Sequence, residues 1–398
     1  MKLKKILLFP LLDSLPSGHH QVANAIAQYV NNRSTNIECK KIDLMHSWNP
    51  VAESLVCKTY LWWIQYFPRT YAWMYRKFAY KSKKDRSYKY YEILFQNKIS
   101  EIIAKENPDL IICTHAFPSY LVSSLKKRGA CTVPVLNVYT DFFINDVWGK
   151  EMIDYHFVSD IRMKTVLMRK YRIPERNIFV TGIPIDETFL RQPNAPKSHR
   201  ELNILLSGGS AGLGNLERFL NKVRQEKGIN LFVLCGNNKK LYQELFKLDA
   251  TNIYPIPYVS SREKMDELYG MADAIITKPG GVTVSEAIKK KIPIFIHSAL
   301  PGQEEINLQI LKEQGLVFTI EEHNNIVGQI LHTLHDERVM INYQCSLSRY
   351  TNAQELNHPD KIFRFIESIL EKEEKTAGEP VMYNNPSIKR ENLVEGLY

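Results

Sequence analysis

Short apolar runs alternate with amphipathic stretches along almost the whole chain. Residues 6–9, 110–113, 135–139, 155–158 and 178–180 form such runs in the first half, and residues 203–206, 231–234, 253–256, 274–276 and 292–296 in the second. Runs this short and this apolar, bounded by turn residues, predict parallel strands covered on both faces. Between them, apolar residues recur at helical spacing. Val22, Ala25, Ile26 and Tyr29 predict a helix over residues 19–29, and similar patterns fall at 161–171, 240–248, 265–271, 281–291, 325–334 and 361–370. Regular strand–helix alternation predicts an α/β protein with doubly wound, Rossmann-like sheets.

The length of 398 residues asks for two such units. Residues 191–201 are rich in proline and polar groups and read as a linker, which gives domains over 1–190 and 202–370. Residues 371–398 are polar, and a mobile tail is expected there. The opening Met-Lys-Leu-Lys-Lys-Ile-Leu-Leu-Phe is taken as the first strand and not as a leader, because Pro10 and Asp13 interrupt it and no small-residue cleavage site follows. No run of about 18 apolar residues spans a membrane. Six cysteines contain no Cys-x-x-Cys pair, which reads as reduced thiols of a cytoplasmic protein and suggests no metal site. The formal net charge of +9 favours an anionic partner.

The chemistry concentrates in two loops. Thr277-Lys-Pro-Gly-Gly-Val-Thr-Val-Ser-Glu-Ala287 is strand, glycine turn and helix start. Gly280 and Gly281 carry no Cβ and let the backbone come close to an anion, while the first N–H groups of the helix and its dipole favour a phosphate. Lys278 adds charge ahead of Pro279; Val282 and Thr283 open the helix, and Glu286 can accept from ribose hydroxyls. The second loop, Leu300-Pro-Gly-Gln-Glu-Glu-Ile-Asn307, offers Gln303, Glu304 and Asn307 to sugar hydroxyls. A third glycine turn follows residue 206. Its glycines do not run Gly-x-Gly-x-x-Gly, and the next strand ends in Cys235-Gly-Asn-Asn238 without the acidic residue that would hold an NAD ribose, so a dinucleotide is disfavoured.

Together the two loops resemble the nucleotide-sugar half of the diacylglycerol glycosyltransferases, the monogalactosyl- and glucosyl-diacylglycerol synthases of glycosyltransferase family 28. The resemblance implies a GT-B fold, two Rossmann-like domains facing a cleft, and an inverting, metal-independent transfer from a UDP-sugar to a diacylglycerol-type lipid with no further cofactor. The missing Asp-x-Asp motif agrees with that. It also implies residue roles. Gly18-His19 matches the pair that carries the family's proposed base, with His20 as competitor. Thr140-Asp141 matches a strand end whose carboxylate either fixes the tautomer of His19 or binds the acceptor. His115 would line the acceptor cleft, Gly209 and Ser210 would face the donor phosphates, and Tyr258 and Val259 would meet the uracil edge. Leu15-Pro16-Ser17 departs from the family's glycine-rich turn, and His297-Ser298 stands where relatives often carry a lysine. A UDP-N-acetylglucosamine 2-epimerase and a non-catalytic, membrane-bound UDP-sugar sensor are the rival readings.

Residues 48–98 have the oddest composition. Trp62, Trp63, Trp73 and many tyrosines are interleaved with Arg69, Arg76, Lys77 and further lysines. Aromatic rings with polar tips suit a bilayer's headgroup layer, and nearby cations suit anionic lipid. Packing of an insertion onto its own domain and binding of single-stranded nucleic acid are the alternatives. The nucleotide-sugar loops favour the membrane over nucleic acid, and with it a peripheral place on the inner face of the cell membrane.

Overall fold

The computed structural model describes residues 3–12, 17–80, 89–191, 201–208, 219–220, 223, 226, 228–248, 250–321 and 324–378. In the first half run β1 (Lys4–Phe9), α1 (Gly18–Asn31), β2 (Ile37–Lys41), α2 (Leu44–Trp48), α3 (Pro50–Tyr66), α4 (Pro68–Tyr75), a π-helical turn Arg76–Tyr80, α5 (Lys89–Glu106), β3 (Leu110–Cys113), α6 (Ala116–Lys127), β4 (Val135–Val138), β5 (Tyr155–Val158), α7 (Ile161–Tyr171) and β6 (Ile178–Val180). The second half holds β7 (Leu202–Ser207), β8 (Ile229–Leu234), α8 (Lys239–Lys247), β9 (Ile253–Ile256), α9 (Arg262–Met271), β10 (Ala274–Thr277), α10 (Gly281–Lys289), β11 (Ile294–Ile296), α11 (Gln303–Glu313), β12 (Phe318–Thr319), α12 (Ile326–His335), α13 (Glu337–Asn352) and α14 (Pro359–Gly378).

The strands form two six-stranded sheets of order β2-β1-β3-β4-β5-β6 and β12-β11-β10-β7-β8-β9, and every pairing is parallel. In the first sheet the chain leaves β1 for β2 and returns on the other side as β3; in the second it leaves β7 for β8 and returns as β10. Such reversals leave a crevice at the carboxyl ends of the central strands, where doubly wound sheets bind ligands. Both loops singled out in the sequence, and the start of α1, sit at these ends.

Helix starts in the insertion follow from local chemistry. Asn49 accepts from the N–H groups of Val51 and Ala52 at 3.0 Å, and Pro50 takes the first helical position, where a missing N–H costs nothing. Pro68 cannot continue α3, so the chain breaks at Phe67 and restarts as α4.

The last helix crosses back to the first sheet. Phe365 of α14 lies 5.4, 5.5 and 4.2 Å, ring to ring, from Tyr155, Phe157 and Phe179. Ile362, Ile366 and Ile369 are buried in the same cluster as Ile6, Leu8 and Ile26. Arg33, just past the end of α1, pairs with Asp360 at 2.5 Å. Burying side chains of this size stabilises by roughly 1.5–3 kcal/mol each. The helix runs eight residues beyond the end expected at 370.

Candidate functional site

His19 is the second residue of α1. Its Nδ1 lies 2.9 Å from the carbonyl oxygen of Thr114 and 2.8 Å from the hydroxyl of Thr140. A carbonyl only accepts, so Nδ1 carries the proton and the Nε2 lone pair is left as the basic position. Nε2 meets no protein partner among the described residues. Burial lowers the proton affinity of His19, while the negative charge of Asp141 raises it again. The imidazole is therefore neutral and ready to accept. His20 is turned differently: its Nε2 donates to the carbonyl of Leu11 at 3.1 Å. His115 caps α6, accepting through Nδ1 from the N–H of Phe117 at 3.1 Å, and stands edge-on to His19 with ring centres 4.6 Å apart.

The start of α10 faces this group across the cleft. A Cβ on Gly18 would come 3.3 Å from Val282, so the first turns of α1 and α10 touch. Gly280 caps α10 without a side chain, no acidic residue enters its first turn, and Gly281, Val282 and Thr283 find no acceptor for their N–H groups among the described residues. Beside them Lys278 is buried to 7% exposure, and no carboxylate pairs with its ammonium within 4 Å among the described residues. Burial lowers its proton affinity and the charge of Glu304 partly restores it. Burial, helped by the charge of Lys278, pushes His297 down to about 4, so this neighbour stays neutral. Free N–H groups, an unpaired cation and a helix N-terminus make a site for an anion.

Residues 19–185 match the family described as monogalactosyldiacylglycerol (MGDG) synthase. An uncharacterized glycosyltransferase of Bacillus subtilis, YkoN, is 42% identical over 318 residues, which cover 79% of this chain and 84% of that one. The chain belongs to the diacylglycerol glycosyltransferase family. A processive diacylglycerol beta-glucosyltransferase of Bacillus pumilus is 28% identical over 348 residues, covering 84% of this chain and 88% of the relative. Among solved structures, Acinetobacter baumannii MurG superposes with a TM-score of 0.57 at 16% identity over 92% of this chain and 99% of that one. The S. aureus MnaA–UDP structure superposes with a TM-score of 0.59 at 14% identity over 95% and 99%. The fold is GT-B.

Within this family member several expected roles are redistributed. Asp141 does not fix the tautomer of His19. Its carboxylate accepts instead from Gln303 Nε2 at 2.7 Å and Asn307 Nδ2 at 3.0 Å, and the tautomer is set by Thr114 and Thr140. Asn307 is therefore not free for a sugar, since its Oδ1 also accepts from the N–H of Phe142 at 3.0 Å. Gln303 keeps its oxygen and its second amide N–H. Glu304 spends one oxygen on the N–H of Leu300 at 2.6 Å, and burial raises its proton affinity.

Gly281 is a glycine for a different reason from the one expected. A Cβ there would stand 2.0 Å from the carbonyl oxygen of Thr140, so the residue makes room for the first half of the molecule. At Gly280 a Cβ would meet nothing within 4 Å, and this is the glycine that faces open space. Glu286 is buried, with one oxygen accepting from Tyr269 at 2.8 Å. Its other oxygen has no donor among the described residues. Tyr258 is 55% exposed on its loop beside the half-buried Val259. Pro279 is buried behind the turn, whose N–H of Gly280 donates to the carbonyl of Lys278 at 2.8 Å. Gly209 and Ser210 lie outside the described residues.

The insertion sits over the same cleft. Gly302, at φ +101°, has the rings of Tyr71 and Tyr75 about where a Cβ would point, at 3.4 and 3.5 Å. Arg76 pairs with Glu305 at 2.6 Å, and a cavity of about 600 Å³ opens between Arg69, Trp73, Arg76, Lys77 and Pro301. Trp62 and Trp73 stand 53% and 60% exposed, with Tyr66 and Phe67 beside Trp62. Trp63 differs: it is half-buried, and its indole N–H donates to Thr70 at 2.8 Å. No helix among the described residues is long and apolar enough to cross a membrane.

Thr114 was not singled out in the sequence, and Thr140 was named only as the partner of Asp141, with no role of its own. Each follows the end of a strand, one residue before a polar residue that was given a role, and hydroxyls at strand ends next to a candidate base are the signal that would have found them.

Proposed function

We propose that this chain is an inverting glycosyltransferase that moves a hexose from a UDP-sugar to a diacylglycerol-type lipid at the surface of an anionic membrane. The observation that carries the reading is His19, with Nδ1 committed to Thr114 and Thr140 and Nε2 open, opposite the unfilled first turn of α10. In this reading Nε2 takes the proton of the acceptor hydroxyl as the oxygen attacks C1 of the sugar. The bond from C1 to the diphosphate breaks on the opposite face, and configuration inverts. Charge gathering on the leaving diphosphate is met by the N–H groups of Gly281, Val282 and Thr283 and by Lys278. Asp141 stabilises the imidazolium through its charge. The free oxygens of Gln303, Glu304 and Glu286 are left for hydroxyls of the donor. The nucleotide sugar is the only co-substrate in this scheme.

Outside the cleft, the exposed Trp62 and Trp73 with Arg69, Arg76 and Lys77 support attachment to a headgroup layer from which the acceptor enters. A panel of UDP-sugars with diacylglycerol vesicles, read by mass spectrometry, tests the reading. A hexosylated lipid that disappears in His19→Ala, with UDP binding retained, is expected; removal of the base costs typically 10²–10⁴-fold. Absence of any glycolipid, or an epimerised nucleotide sugar formed without acceptor, would overturn it.

A further inference from the structure

Helix α11 lies along the seam between the halves and turns a polar stripe towards the first. Residues 303 and 307 share one face of the helix, and Gln314 caps its end. Gln303 and Asn307 donate to the two oxygens of Asp141, and Gln314 donates to Asp160 at 2.7 Å. Asn307 is 1% exposed, and both ends of its amide are consumed by Asp141 and by the backbone of Phe142. Buried this far, it does not reach out to a donor sugar. Among the described residues the Asp141 carboxylate is thus held from the second half of the molecule, yet its charge acts on His19, which belongs to the first.

We propose that Asn307 is a positioning residue, which holds the Asp141 carboxylate beside His19 only while the two halves are docked, so that the base is completed from across the cleft. The inference rests on the reading of His19 as the base. Two amide donors, one on each oxygen, fix where the carboxylate sits. The other ionisable groups around the pair are His20 and His115 beside His19, Glu304 of α11 beside Asp141, and the hydroxyls of Tyr60, Tyr71 and Tyr75 from the insertion. None of these donates to Asp141. Separation of the halves would strip the carboxylate of both donors at once, leaving an uncommitted base in the open enzyme.

The test is an NMR titration of the His19 imidazole in the full chain, its signal assigned by its loss in His19→Gln. Asn307→Ala is expected to move the His19 midpoint to lower pH, the direction in which Asp141→Asn moves it. The double variant should sit where Asp141→Asn alone sits, because one device has been broken twice. UDP affinity, measured by calorimetry, should stay within about twofold, while kcat falls on the order of tenfold or more and the donor KM holds. An unmoved midpoint, additive effects in the double variant, or a loss of UDP affinity matching the loss of kcat/KM would overturn the proposal. If Asn307→Ala does not fold, Gln303→Ala removes the other donor at the start of the helix, and an unmoved midpoint there overturns it equally. Failure to transfer any sugar would sink the proposed function and leave the titration standing; an unmoved titration with transfer intact sinks only this inference.

Discussion

Two carboxylates of the cleft have opposite surroundings, and the buried one should make stability depend on pH. Asp141 is supplied with two amide donors, whereas Glu286 is buried with one tyrosine hydroxyl, and burial pushes its carboxyl up to about 7. In the unfolded chain the same group titrates near 4.3. Between those values the native state holds the proton and the unfolded state does not, so stability falls as pH rises through that window and levels off above it. Glu286→Gln removes the titration. The variant should therefore gain on the wild type as pH goes from 5 to 8, by about 3 kcal/mol at the upper end. Parallel thermal melts across that range check it, and a gap that does not widen would mean that Glu286 is ionised throughout.

At the scale of single elements, α10 separates two glycines that look alike in sequence. Gly281→Ala drives a methyl into the carbonyl of Thr140, where backbone must shift. Overpacking of that kind costs about 1–3 kcal/mol, which lowers Tm by a few degrees. Gly280→Ala meets open space at an ordinary φ of −80°, so Tm should hold while UDP affinity drops if the methyl crowds the ligand. Differential scanning calorimetry and UDP titration of the pair distinguish the roles. The contrast also marks how far the sequence could be read. Parallel strands were legible because both faces are covered and every position is apolar, as in Leu110–Cys113. β2 escaped because Glu38, Lys40 and Lys41 give an edge strand no apolar run, and α13 escaped because its buried side reduces to Tyr343, Leu347 and Tyr350. The glycine loops announced themselves, but a missing Cβ does not say which atom it makes room for. That Asp141 belongs to Asn307 and not to His19 depends on residues 166 apart, and no local pattern carries such a pairing.

For the whole molecule, the side that the insertion would offer to a membrane is made of few residues. Replacing Trp62 and Trp73 together by serine should weaken binding to vesicles rich in anionic lipid in a flotation assay, with the melting temperature unchanged because both rings are mostly solvent-exposed. Added salt should weaken the wild type further, since each cation near such a surface contributes about 1 kcal/mol that ions screen. Binding that ignores both changes would place the contact elsewhere. The return of α14 to the first sheet bears on biosynthesis. A ribosome making this chain releases β1 to β6 long before residues 359–378, so a nascent first half waits with an oily flank that only the final segment can seal. Chains stopped at residue 358 should sediment with aggregates, and supplying the missing helix in trans as a peptide should return part of them to the supernatant.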